Sequence, residues 1–301
     1  MKQINILIIT YKQEREIRRN LDSILKQKDF GLNQVIICDD CSPDSTWDVV
    51  CEYKNRFPDI IVPYQNDHNL GIYGNYNELI KKRGIADFYY VLAGDDELCD
   101  GIFEKLQYLA ELNDIRNTDQ TAVYFDWMAK KVDGRCVQYK NNLVARHNHN
   151  IFGLKLRNLI SNRSCFVTKG IMDKMEPVDL SLGLSLAESL ADLQYSILAQ
   201  NNFYYSYIGS IYYSGIGVST TIFTDEYLES SIKAWDVIKS KFDLSKKDSA
   251  WIEYEKNFYR FWINPSVSRL FLTIKSYFSG CYFVSVKQTL IDLYTIVSKI
   301  K

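Results

Sequence analysis

Residues 88–97 read "FYYVLAGDDE": six apolar or aromatic residues, then Gly94, then the acids Asp95, Asp96 and Glu97. A short continuous apolar run suits a strand buried on both faces, as in a parallel sheet covered by helices. Adjacent carboxylates at its end repel one another. They mark either a solvated turn or a place where a cation offsets the repulsion, and the flanking sequence has to choose.

Three more runs share this character: "INILIIT" (4–10), "QVIICD" (34–39) and "IIVPYQ" (60–65), where Pro63 hints at an edge or irregular position. Helical periodicity fills the gaps between them. "KQEREIRRNLDSILKQK" (12–28) aligns Ile17, Leu21, Ile24 and Leu25 on one face. In "DCSPDSTWDVVCEY" (40–53), Pro43 suits a first helical turn, and Trp47, Val50 and Cys51 form a stripe. "GNYNELIKKR" (74–83) predicts a short helix, and "GIFEKLQYLAEL" (101–112) aligns Phe103, Leu106, Leu109 and Ala110. Four strand–helix alternations in about 110 residues predict an α/β fold with a mostly parallel, Rossmann-like sheet carrying helices on both faces. Beyond it come "AVYFDW", a polar hairpin around "VDGRC", a helix over "SLAESLADLQYSILAQ", a strand over "FYYSYIGSIYYS" and a mostly helical region from about Asp225.

Composition narrows the function. Net charge is −1, from 36 basic and 37 acidic side chains, which argues against nucleic-acid binding by bulk electrostatics. The seven cysteines fit no zinc spacing and read as reduced thiols of a cytoplasmic protein. The N-terminal apolar run meets charge too soon for a signal peptide, and no uninterrupted run reaches membrane-spanning length. Ligands of an open parallel sheet bind at the carboxyl ends of its strands. Those ends are Thr10-Tyr11 with Glu14 close behind, Asp39-Asp40, Gln65-Asn66, and Gly94-Asp95-Asp96. Neither a Gly-x-Gly-x-x-Gly nor a Walker-type loop follows a strand, so dinucleotide oxidoreductases and P-loop kinases are disfavoured. A nucleotide's phosphates then need a carboxylate-held Mg²⁺ or Mn²⁺, which takes one or two acids and completes its shell with phosphate and water.

In order, "ILIITYKQEREIRRNLDSILKQ", "QVIICDDCSPDST", "NLGIYGNYN" and "YYVLAGDDE" resemble the nucleotide-binding half of family-2 inverting glycosyltransferases with the GT-A fold. The resemblance implies transfer of a sugar from a nucleotide-sugar, UDP-linked, to a saccharide or lipid-linked saccharide acceptor in bacterial surface polysaccharide, capsule or glycolipid assembly. It implies Mn²⁺ or Mg²⁺ as cofactor. It places Thr10, Tyr11, Glu14, Asp39 and Asp40 around the base and ribose, with Asn69, Gly71 and Asn75 from the third motif and Asp95 completing the nucleotide site. Asp96 becomes the main metal ligand with Asp95 beside it, although Ala93 replaces the first acid of the commonest motif. Tyr76 stands where many members carry Arg. The general base falls in "LAESLADLQYSIL", on Asp192 or on Glu188. Arg163 in "SNRSC" contacts either acceptor or diphosphate, and His147 and His149 belong to a polar loop. Residues 1–222 form the catalytic domain (1–110 the nucleotide-binding half, 111–222 the acceptor half), and 223–301 form a helical region. That region packs on the core, with a peripheral contact at the inner membrane face or a homo-oligomer interface as its alternatives. The competing class is a catalytically silent GT-A binding or scaffold protein.

Overall fold

The computed structural model describes residues 1–148, 151–182, 193–215 and 224–280. Contacts divide the chain into two units, one of Met1–Val178 with Ala191–Thr220 and one of Asp179–Leu190 with Thr221–Lys301.

The first unit opens with the expected alternation: β1 (Ile4–Thr10), α1 (Glu16–Leu25), β2 (Leu32–Asp39), α2 (Thr46–Arg56), β3 (Ile61–Gln65), α3 (Gly71–Lys81) and β4 (Phe88–Ala93). There follow β5 (Glu97–Leu98), α4 (Ile102–Leu112), β6 (Thr121–Lys131), β7 (Cys136–Tyr139), α5 (Leu143–Arg146), α6 (Ile151–Leu156), β8 (Cys165–Thr168) and α7 (Lys169–Met172). A helical stretch over 193–198 (α8) and the long β9 (Asn201–Ser214) complete it. One sheet runs in the order β3-β2-β1-β4-β8-β6-β9-β5, with β7 on β6. β1 pairs in parallel with both β2 and β4, so strand order reverses between β1 and β4. β8 is antiparallel to β4 and β6, and β5 is antiparallel to β9. The sheet is thus parallel over β3-β2-β1-β4 and mixed beyond, a GT-A architecture.

Physical reasons for these elements are local. Ile6, Ile8, Val35, Ile37, Tyr90 and Leu92 are buried, and Ile17, Leu21 and Ile24 of α1 and Phe103 and Leu106 of α4 close over them. Each such side chain contributes about 1.5–3 kcal/mol by leaving water. Gly31 reverses the chain into β2 at φ 90°, where an added Cβ would collide with the Lys2 carbonyl. Pro43 lies outside α2. The Asp44 carboxylate takes both the Thr46 N–H (3.2 Å) and the Thr46 hydroxyl (2.6 Å), holding a turn that delays the helix to Thr46.

Three helices make up the described part of the second unit: α9 (Asp225–Lys241), α10 (Lys246–Ile263) and α11 (Val267–Gly280). The Ser245 hydroxyl caps α10 by accepting from Asp248 N–H (3.1 Å). The Trp251, Tyr254 and Tyr277 rings pack at 4.6–6.0 Å, and Gly280 permits the close approach of α11 to the Trp251 backbone. Val267, Phe271 and Phe278 of α11 are exposed. No helix among the described residues is long and apolar enough to cross a membrane.

Candidate active site

At the reversal between β1 and β4 the strand ends converge. Asp40 N–H donates to the Thr10 carbonyl (3.0 Å) and Gly94 N–H to the Ile9 carbonyl (3.0 Å). β1 therefore joins the Asp39-Asp40 corner to the Gly94-Asp95-Asp96 corner. The Thr10 hydroxyl donates to Gln13 Oε1 (2.8 Å), and a Cβ on Gly94 would sit 2.5 Å from that oxygen and 2.9 Å from the Thr10 hydroxyl. Glycine is needed there because the Thr10–Gln13 pair fills the space.

The two acids of the first pair do different things. Asp39 is saturated: Oδ1 accepts from the Ser42 hydroxyl (2.5 Å), and Oδ2 from Ser42 N–H (3.0 Å) and the Gln65 amide (3.0 Å). Asp40 accepts from the Asn66 amide (2.9 Å) and Leu70 N–H (2.8 Å), both on Oδ1, so Oδ2 is left to accept from a ligand. Asn75 holds this corner by donating to the Cys38 carbonyl (2.8 Å) and accepting from Asn66 (3.0 Å). Glu14 accepts from Ser45 N–H (3.2 Å), and Asn69 from Gly71 N–H (3.0 Å). Gly71 begins α3 at φ 75°, and Tyr11 is exposed at the rim.

In the second pair, Asp95 and Asp96 are both buried. The Asn20 amide donates to the Ala93 and Asp96 carbonyls (2.9 Å each), so α1 clamps the turn that carries them. Burial raises the pKa of Asp95. It raises Asp96 further, to about 7, with the Asp95 charge adding to it; the Tyr213 N–H, Arg163 and Arg19 pull the other way. Asp96 Oδ1 accepts that N–H (3.1 Å), leaving Oδ2 open. Two buried carboxylates with open oxygens, both raised above the usual carboxylate range chiefly by burial, fit a Mg²⁺ or Mn²⁺ bound through one or two protein acids. Among the described residues no cluster of three or more His, Cys, Asp or Glu side chains gathers, so these residues alone offer no closed metal cage.

Sequence reasoning did not find the dipeptide Tyr212-Tyr213 at the end of β9. Arg19 lies 3.6 Å over the Tyr213 ring, its Nη2 donates to the Asp95 carbonyl (2.7 Å), and its Nε lies 2.6 Å from Glu97 Oε1. That last contact is an ion pair by distance only, since Nε is not aligned for a hydrogen bond. The Tyr213 hydroxyl donates to the same Glu97 oxygen. Arg163 lies 3.6 Å over the Tyr212 ring and 5.5 Å over Trp127. No signal in the sequence singles out Tyr212-Tyr213, since Tyr204-Tyr205 repeats the same dipeptide earlier in the strand. Tyr76, at the position where an Arg was looked for, is buried. Asp192, Glu188 and His149 lie outside the described residues, whereas His147 ends α5.

The Glycosyl transferase family 2 model matches residues 5–150. Residues 5–150 are thus similar to a glycosyltransferase family 2 domain. Two curated relatives align with part of it. The processive diacylglycerol beta-glycosyltransferase of Mycoplasma pneumoniae is 30% identical over 100 residues, 33% of this chain and 29% of that protein. The uncharacterised protein Rv1520 of Mycobacterium tuberculosis is 33% identical over 98 residues, 32% and 28% of the two chains. The aligned stretch is thus under a third of each relative's length. Solved structures extend the likeness to the fold of nearly the whole chain. Staphylococcus aureus TarS 1–349 superposes with a TM-score of 0.60 at 16% identity, covering 92% of this chain and 80% of that one. TarS 1–349 has also been solved with UDP-GlcNAc. The Pyrobaculum calidifontis mannosyltransferase PcManGT, solved with GDP-Man and Mn²⁺, gives 0.54 at 9% identity, covering 100% and 81%. The stretch that is similar to glycosyltransferase family 2 therefore sits in a GT-A fold, and two of these similar structures hold nucleotide-sugars.

Proposed function

We propose that this glycosyltransferase is inverting and metal-assisted, and that it moves a sugar from a UDP-sugar to a saccharide or lipid-linked saccharide acceptor. The observation that carries the reading is the convergence of Thr10, Asp40, Asp95 and Asp96 on neighbouring strand ends at the strand-order reversal, each acid pair with an oxygen left open. Asp40 Oδ2 accepts the imide N–H of uracil, while Asp39, with both oxygens filled, shapes the turn beneath it. Asp95 and Asp96 would hold Mn²⁺ or Mg²⁺; when bound, the ion offsets charge gathering on the departing diphosphate.

An inverting transfer forms a bond from the acceptor oxygen to the anomeric carbon as the bond to the diphosphate breaks, the electron pair leaving with the phosphate. The acceptor proton goes to a carboxylate, for which we assign Asp192, with Glu188 as the alternative. The unbridged thiols among the described residues support a reducing, cytoplasmic setting, and surface polysaccharide or glycolipid assembly is the matching role.

The test is incubation with UDP-GlcNAc, UDP-Glc, UDP-Gal and GDP-Man, with Mn²⁺ or chelator. Nucleoside diphosphate release and the product's anomeric configuration by NMR are read out. Metal-dependent release from a UDP-sugar with an inverted product is expected. A folded protein that neither binds nor cleaves any of the four overturns the reading and leaves the silent scaffold.

A further inference from the structure

Arg163 stands out because its charge has no carboxylate partner among the described residues and yet its position is fixed. The turn that carries it, Asn162–Ser164, is held at the backbone by three bonds. Its carbonyl accepts from the Ser210 hydroxyl (2.6 Å) and from the Tyr90 hydroxyl, and its N–H donates to the Ser161 hydroxyl (3.2 Å). Gly209 of β9 lets the turn approach, since a Cβ there would collide with the Ser164 hydroxyl. The side chain is exposed, with its guanidinium over Tyr212 and Trp127. A second stack buttresses Trp127 from β7, with the Tyr139 ring 4.2 Å away and 7° from parallel. Guanidinium–aromatic contacts of this kind orient the group and leave its N–H fork free for phosphate or carboxylate.

Position decides what the fork meets. Tyr212 adjoins Tyr213, whose backbone N–H holds Asp96. Successive side chains of β9 point to opposite faces, yet the Arg163 charge is close enough to act on both Asp95 and Asp96, so Arg163 flanks the acid pair from the Tyr212 side. The other guanidinium at the site, Arg19, is already committed to Glu97 and to the Asp95 carbonyl. Lys130 reaches the Tyr213 ring only at 5.4 Å. The third motif supplies no cation, because Tyr76 is buried.

We propose that Arg163, cradled by Tyr212 and Trp127, binds the diphosphate of the donor and stabilises it as it leaves. The sequence left open whether this residue serves acceptor or diphosphate; the unpaired, pre-oriented fork beside the acids assigns it to the diphosphate. Arg163 stays protonated throughout and exchanges no proton. This rests on the nucleotide-sugar reading above.

The test measures binding of UDP and of uridine, each with Mn²⁺, to the wild type, Arg163→Gln, Arg163→Lys and Tyr212→Leu, with folding checked by circular dichroism. The expected result is UDP affinity weakened 10-fold or more in Arg163→Gln and less in Arg163→Lys, with uridine affinity unchanged in both. Tyr212→Leu should weaken UDP alone, by a smaller factor. Wild-type UDP affinity in Arg163→Gln, or an equal loss for uridine, overturns the assignment while leaving the nucleotide-sugar reading intact. Failure of the wild type to bind UDP, GDP or uridine overturns that reading and the assignment together.

Discussion

Replacing Asp96 by Asn should make the metal-free protein more stable while abolishing its activity. Burial and the Asp95 charge raise the Asp96 carboxyl from 3.8 to about 7. Between those values the folded state binds a proton that the unfolded state does not, so folding loses stability as pH rises through that window. At about 1.4 kcal/mol per pKa unit the full penalty above pH 7 is roughly 4 kcal/mol. Asn removes the charge and keeps an acceptor for the Tyr213 N–H, but buries an amide N–H₂ that costs about 1–3 kcal/mol where it finds no partner. The balance is a gain of about 2 kcal/mol, or a melting temperature higher by about 5 °C at 2–4 °C per kcal/mol. The assay is thermal melting of both proteins in chelator at pH 8 and pH 4.5. The gain should be present at pH 8 and absent at pH 4.5, where wild-type Asp96 is already protonated. Adding Mn²⁺ at pH 8 should raise the wild type and leave Asp96→Asn in place. A folded Asp96→Asn melting at or below the wild type at pH 8 in chelator would refute the reasoning.

Other substitutions separate roles within the site. Asp39→Ala should cost about 2–4 kcal/mol, because it strands the Ser42 and Gln65 donors, as chemical denaturation will read. Asp40→Asn keeps the acceptor used by Asn66 and Leu70, so its melting temperature should barely move while UDP affinity by calorimetry falls at least 10-fold. Gly94→Ala should displace Gln13 and Thr10 and weaken uridine binding, with a stability loss of about 1–3 kcal/mol. Asp192→Asn should leave donor affinity intact and cut single-turnover transfer at least 100-fold, with Glu188→Gln near wild type; the reverse pattern moves the base to Glu188.

The first 110 residues were legible because their signals are local. Runs of buried β-branched residues and one-faced helices need only neighbours to declare themselves, and the acids at their ends follow from the parallel order. Pro43 misled because the Asp44–Thr46 turn overrode its helix-starting preference. The rest was hidden for a different reason. β5 has two residues and β8 four, too few to show any period, and both exist because β9 and β6 offer edges to pair with. Tyr212 is an ordinary surface type in isolation, and Arg163, singled out in the sequence, had no partner there to choose between acceptor and diphosphate. Only the return of β9 along β6 brings a turn from residues 162–164 against a strand end at 212, and no spacing rule encodes that meeting.

The bond between the Tyr213 N–H and Asp96 spans 117 positions of chain. The chain thus writes the acids early and their fastening late. A nascent polypeptide halted before β9 would own both acid pairs yet lack both tyrosines of β9, so an ion held by a fastened Asp96 has to await closure of that 117-position loop. Shortening the protein from its far end to remove β9 should therefore erase cation affinity even where the parallel strands still assemble.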